Sequence, residues 1–232
     1  MFSSTVENYL KAILLHGEES GAGVMPPGAL AEALDVSPGT VTTMVKALAE
    51  QGLLSHKPRA GVKLTKSGRA AAVRVLRKHR LVETFLVSAL KMDWAGVHEE
   101  AEALEHAVSD RVLEKIDELL GHPAVDPHGD PIPNARGELA GGGGVGERLT
   151  LASCDVKTQW RVARIHDQAP AFLDFIRDTG LKPGARVRVV RRDEAGGVVR
   201  CEVKGEGGAG GAGGAGEAVL GLGEAGKIEV RK

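Results

Sequence analysis

A change of hydrophobic period divides this chain and fixes its fold class. Up to residue 120 the apolar residues return every three or four positions, and beyond residue 148 they fall into short blocks and alternations. The first spacing makes helices with one buried face, and the second makes short strands. Between them, residues 140–147 (AGGGGVGE) hold five glycines, bury almost no side-chain surface and read as a flexible linker. The expected class is mainly α with a small β part.

The amino-terminal part carries clear start and stop signals. Val6, Tyr9, Leu10, Ile13 and Leu14 sit at helical spacing behind Ser3 or Ser4 as N-cap, with Gly17 as the stop. Pro26-Pro27-Gly28 opens a short helix bearing Leu30, Ala31 and Leu34. Ser37-Pro38 starts a third helix, because proline at the first helical position gives up only an N–H that had no partner. Val41, Val45 and Leu48 form its buried stripe, and Gly52 ends it. Leu53–Lys57 and Val62–Thr65 follow as short strands around Pro58-Arg59-Ala60-Gly61. Helix, short helix, turn, helix and hairpin in that order describe a winged helix-turn-helix.

A long helix is expected over residues 66–91 behind Thr65, a second from Trp94 to about Val108 behind Asp93, and a third from Ser109 to Gly121. Three amphipathic helices of this size bury little core alone, so a homodimer sharing them across a two-fold axis is expected. After the linker, strands are expected at 148–152, 159–166, 186–192, 198–204, 218–220 and 227–230, with a helix at 170–179. They suit a small barrel of SH3-like size. A second glycine tract, 205–216, reads as a mobile hairpin loop. The expected organisation is a winged helix-turn-helix over 1–73, a helical domain over 74–139, the linker over 140–147 and the SH3-like domain over 148–232.

Charge sorts the surfaces. The formal net charge is −1, yet Val36–Arg80 holds ten Lys or Arg against one acid, and Leu81–Asp130 holds three against twelve. Such a pairing implies one surface for phosphate and another for cations. In a helix-turn-helix the start of the second helix enters the major groove. Ser37, Pro38, Thr40, Thr42, Thr43 and Lys46 are the candidate DNA-binding residues there, joined by Lys57 and Arg59 on the hairpin. Thr42 and Thr43 suit thymine methyls or phosphates, and Lys46 suits phosphate or guanine. An ordinary polar helix face is the plainer alternative; cap, spacing, hairpin and basic block together favour DNA.

The acidic block is rich in metal-ligand types. Glu102, Glu105 and His106 stand at i, i+3 and i+4, with His98 one turn before Glu102, and His79 and Glu83 repeat the pairing at i, i+4. Three imidazoles and three carboxylates suit a divalent first-row metal rather than a thiolate-loving one. Taken one at a time, these residues also fit a solvated helix face. Cys154 and Cys201 stand far apart and form neither a disulfide framework nor a CxxC site. No secretory segment or 18-residue apolar run occurs in the sequence, so a cytoplasmic protein is expected.

The strings SPGTVTTMVKALAEQGL (37–53), RKHRLVE (77–83), HEEAEALEHAVSD (98–110) and PHGDPIP (127–133) resemble the diphtheria-toxin-repressor family of iron- and manganese-dependent transcriptional regulators. The resemblance spans nearly the full length, and the last part is similar to the SH3-like domain of ferrous-iron transport accessory proteins, the FeoA type. It implies one metal site at His79, Glu83 and His98, and a primary site at Glu102, Glu105 and His106 completed from the first helix. Asn8 stands at that first-helix position, where it offers only a neutral amide oxygen, and Lys11 replaces an acidic ligand of some manganese regulators. Position 102 is typically cysteine in the iron branch and glutamate in the manganese branch, so Glu102 favours Mn(II), with Fe(II) second. The SH3-like domain of the iron branch adds two ligands to the first site; Asp167 and Gln168 are the candidates here.

The implied function is a homodimeric regulator, activated by Mn(II) or Fe(II), that binds a palindromic double-stranded operator and represses metal-uptake genes. No enzyme activity is expected. One rival is a winged-helix regulator that senses an organic ligand and uses the His/Glu cluster structurally. A metallohydrolase is the other, against which the sequence lacks HExxH.

Overall fold

The computed structural model of the chain describes residues 2–21, 23–57, 61–139, 149–204 and 215–232. The expected linker at 140–147 and most of the second glycine tract lie outside these residues. The chain forms two compact units, Met1–Val82 with Glu102–Leu119 and Ile132–Val145, and Glu83–Ala101 with Leu120–Pro131 and Gly146–Lys232. Residues 74–139 therefore contribute to both.

The first unit opens with α1 (Ser4–Ser20), α2 (Pro27–Ala33) and α3 (Pro38–Glu50), followed by the antiparallel hairpin β1 (Leu54–Lys57) and β2 (Gly61–Leu64). Ser3 Oγ accepts from Val6 N and caps α1, and Ser37 Oγ accepts from Thr40 N at 3.1 Å and caps α3. The expected stop at Gly17 does not occur. One glycine inside a helix costs about 1 kcal/mol relative to alanine, and α1 runs on until Gly21 takes the left-handed conformation and bonds back to the Gly17 carbonyl. Leu10, Leu14, Leu30, Val41, Leu48, Val62 and Leu76 are among the core residues. They are the stripes that helical spacing selects, brought onto one another.

α4 (Lys66–Ser88) starts hard against the hairpin. A Cβ at Gly68 would lie 1.9 Å from the Leu53 carbonyl oxygen, so only glycine fits there. Thr65 Oγ1 donates to the Gly52 carbonyl at 2.7 Å and accepts from Gly68 N at 3.1 Å, while Ser67 Oγ donates to the same carbonyl at 3.0 Å. α4 is followed by α5 (Val97–Glu105) and α6 (Asp110–Leu119). α4 is shorter than expected, ending at Ser88 rather than Lys91, which has positive φ. α5 begins at Val97 instead of Trp94, because Asp93 spends its side chain on Ala95 N and its carbonyl on Gly96 N, closing a turn first.

In the second unit a five-stranded antiparallel sheet has the order β6-β5-β4-β3-β7, made by β3 (Gln159–Ile165), β4 (Arg186–Asp193), β5 (Val198–Lys204), β6 (Ala215–Gly221) and β7 (Ile228–Arg231). α7 (Pro170–Thr179) and the short α8 (Leu222–Ala225), which the sequence does not announce, complete it. Val187, Val189, Val199, Cys201 and Val203 alternate inward with exposed Arg186, Arg188 and Arg200 between them. The strand expected at 148–152 is absent among the described residues. Thr150 instead closes a turn with Ser153 and Cys154 and keeps a single bridge to Glu229. No helix among the described residues is long and apolar enough to cross a membrane.

Candidate functional site

The start of α3 is an open polar face. Ser37, Pro38, Thr40, Thr42, Thr43 and Lys46 are all exposed. Thr42 Oγ1 donates to the Pro38 carbonyl and Thr43 Oγ1 to the Gly39 carbonyl, at 2.9 and 3.1 Å. Their protons are thereby used by the helix itself, so both threonines turn acceptor oxygens and methyls outward. That suits base edges better than phosphate, which needs donors. Lys57 is in β1, and Arg59 lies outside the described residues. His56 and Lys63 are exposed on the hairpin.

The basic block is less outward-facing than its count suggests. Arg77 donates to Asp117 and to the Pro133 carbonyl, at 2.9 and 2.7 Å. Lys78 meets the Val108 carbonyl and Asp110, and Arg80 is buried. Three of the ten cations therefore serve the helical core of this unit.

Also in the first unit, His79, Glu102 and Glu105 bring ligand atoms within 4.8 Å of one another. Glu105 is fully buried and His79 nearly so. His79 Nδ1 donates to Glu105 Oε2 at 2.7 Å. Lys11, on α1 and 6 % exposed, donates to Glu102 Oε1 at 2.6 Å and to Glu105 Oε1 at 2.8 Å. Burial works to raise the Glu105 pKa, but His79 and the Lys11 ammonium outweigh it and hold the carboxyl below its usual range. His106 follows the end of α5, and its Nδ1 lies 2.6 Å from Glu7 Oε2. α1 thus reaches this cluster through Glu7 and Lys11. Asn8 lies between them in sequence, half-buried, with its Oδ1 shielded and without a hydrogen bond. As placed, the two carboxylates already hold a cation, and the set does not fit an added divalent ion.

The second unit holds another cluster. Glu83, Asp126 and His128 are all buried, with ligand atoms within 4.8 Å. His128 Nε2 donates to the Trp94 carbonyl at 3.0 Å, which leaves Nδ1 as the lone-pair nitrogen of the neutral ring. That Nδ1 is buried, makes no hydrogen bond and lies 3.7 Å from Glu83 Oε2. Burial opposes protonation of His128, but the Glu83 and Asp126 carboxylates win and raise its pKa. Asp126 Oδ1 accepts from His128 N and Asp130 N, both at 2.9 Å, fixing the loop that carries the imidazole. Gly129 (φ +88°) lets this loop pass the sheet, since a Cβ there would lie 2.1 Å from the Ala163 carbonyl oxygen. His98 Nδ1 is 3.1 Å from the other Glu83 oxygen. An orphaned imidazole nitrogen facing two carboxylates fits a divalent cation, with its other nitrogen tethered as metal-binding histidines usually are.

Three family descriptions match the chain in series. They are the iron dependent repressor N-terminal DNA binding domain over 1–62, the iron dependent repressor metal binding and dimerisation domain over 65–134, and the FeoA domain over 149–232. The iron-dependent repressor IdeR of Mycobacterium tuberculosis is 36 % identical over 195 residues, covering 80 % of this chain and 83 % of the relative. The chain belongs to the diphtheria-toxin-repressor family. The diphtheria toxin repressor of Corynebacterium diphtheriae itself is 32 % identical over 198 residues, 82 % of this chain and 85 % of that protein. A manganese-dependent transcriptional repressor in complex with manganese superposes with a TM-score of 0.79 at 38 % identity, covering 97 % of this chain and 98 % of that one. ScaR with bound Zn2+ gives 0.73 at 35 %, covering 98 % and 99 %.

Against the residues that family resemblance names, the structure joins Glu102 and Glu105 with His79, joins Glu83 with His98, and sets His106 against Glu7. It gives Asp167 to Lys227 at 2.6 Å and Gln168 to Asp130 at 2.7 Å. Asp126 and His128 escaped the sequence reading. Their signal was the D-x-H spacing of Asp126-Pro127-His128, which runs into the PHGDPIP string at 127–133.

Proposed function

We propose that this chain is a homodimeric DNA-binding repressor of metal-uptake genes whose operator affinity is switched on by Mn(II) or Fe(II). The observation that carries the DNA half is the exposed α3 face, capped by Ser37 and bearing Lys46 in its third turn. Relatives named as iron-dependent and manganese-dependent repressors support the metal half. For the metal we assign Glu83, Asp126 and His128, with His98 on the remaining Glu83 oxygen. Hard carboxylates and imidazole match Mn(II) and Fe(II) better than soft thiophilic ions. The bound ion supplies positive charge and fixed coordination, with no reaction asked of it.

The chain's own residues do the rest. Trp94 orients His128, Asp126 pins the loop, and α3 reads DNA. Exposed Leu104, Val112 and Leu119 on α5 and α6 supply apolar surface for a two-fold partner, which pairs two α3 helices for a palindromic operator. A DNA-competent arrangement is favoured rather than created by the ion. Such a regulator works beside the chromosome, in the cytoplasm. The test is a gel shift on the gene's own upstream DNA after chelation, then with Mn(II) or Fe(II) restored under anaerobic conditions. Binding should vanish and return; equal affinity of stripped and reloaded protein would sink the reading.

A further inference from the structure

We infer that Lys11 is a built-in cation: its ammonium takes the place between Glu102 and Glu105 that a divalent ion would need. The cluster then holds α1 to α5 without metal. The inference rests on the reading that metal is the effector, and it assigns that effector to the Glu83 cluster alone.

Lys11 Nζ sits 2.6 Å from Glu102 Oε1 and 2.8 Å from Glu105 Oε1, the lengths of charge-assisted hydrogen bonds. Metal–carboxylate bonds of about 2.0–2.6 Å to the same two oxygens would centre an ion on nearly the same point. Two cations cannot share it. Nor does the ammonium have an easy exit, since the Lys11 side chain is 8 % exposed and Glu105 is fully buried. Leaving would strand the Glu105 carboxylate in the protein interior, where an unmatched charge is strongly disfavoured. His79 turns its Nδ1 onto Glu105 Oε2 at 2.7 Å, so that nitrogen offers this pair of carboxylates a proton and no lone pair. Glu7 and His106 add a second tie between α1 and the end of α5, at 2.6 Å. His106 Nε2 is left buried without a hydrogen bond, 3.4 Å from Glu105 Oε1, so it is the Lys11 ammonium, and not this second tie, that closes the cluster.

Equilibrium dialysis of the full-length chain against Mn(II), with bound metal per chain measured by atomic emission, tests this. Wild type and Glu102→Gln should bind the same number of ions, and Lys11→Met should bind one more per chain. One ion fewer in Glu102→Gln than in wild type would overturn the inference. So would a folded Lys11→Met with the wild-type stoichiometry. Should Lys11→Met fail to fold, the comparison of Glu102→Gln with wild type decides, because Glu102 is only partly buried and tolerates the change. Wild type that binds no Mn(II) would refute the effector reading, while a one-ion gain in Lys11→Met would still uphold the role of Lys11.

Discussion

Two clusters in this chain use the same side chains, two carboxylates and a histidine, and differ in how they are neutralised. In the first, Lys11 bridges Glu102 and Glu105, and His79 spends its Nδ1 proton on Glu105. In the second, His128 is tethered through Nε2 and presents an unbonded Nδ1 to Glu83 and Asp126. Ligand type alone therefore does not define a metal site. What separates a responsive cluster from a closed one is whether the protein has already supplied the positive charge.

The largest expected effect tests the closed cluster. Lys11→Met should lower metal-free stability by about 3–5 kcal/mol, the cost of breaking a buried ion pair on one side. Urea unfolding with and without Mn(II) checks this, and added Mn(II) should recover part of the loss only in the variant. A loss below about 1 kcal/mol would mean that the ammonium is a surface contact, and the contrast between the clusters would collapse.

Next comes the responsive cluster. His128→Ala should weaken Mn(II) binding while leaving Lys11 and its partners intact, and Trp94 offers no side-chain substitute because it contributes a carbonyl. A loss of more than about 100-fold is expected, because removing a ligand's supporting partner already costs about 10–100-fold and here the ligand itself goes; anaerobic titration followed by operator binding measures it. Gly129→Ala should act on the same cluster through the backbone, by about 1–3 kcal/mol, because the loop must move off Ala163. Denaturant melts of wild type and variant give that number.

Smaller effects serve as controls on both clusters. Lys46→Ala should lower the salt slope of operator binding by about one unit and leave metal stoichiometry untouched. Cys154 and Cys201 are buried, and burial pushes the Cys201 thiol up to about 12. Neither should react with a thiol reagent at neutral pH until the chain unfolds, in wild type as in every variant above; rapid native labelling would show that the sheet unit opens.

What was legible in the sequence was local. Ser37-Pro38 fixed the start of α3, and Val41, Val45 and Leu48 are buried as their spacing requires. Signals that depend on competition read poorly. Gly17 yields to the stronger cap at Gly21, and Asp93 closes a turn where a helix start was expected. Least legible were features made by distant segments. Lys11 and Glu105 are 94 positions apart, so the sequence marks the lysine only as a departure from an acidic ligand, and its pairing with the carboxylates appears only in the fold. His128 lies in a loop whose ligand character appears only when Trp94 claims one ring nitrogen.

The joint between the hairpin and α4 has a mechanical meaning. With Gly68 pressed on the Leu53 carbonyl and Thr65 and Ser67 both fastened to Gly52, the hairpin and the helix have no play between them. His79 lies about 20 Å up that helix at 1.5 Å per residue. A tilt of about 5° at the joint is then about 2 Å of travel at His79, by the same geometry. The hairpin and α4 thus form one bent lever, in which a shift of the helix at His79 is matched by a shift of the hairpin, geared down roughly in the ratio of the two arms.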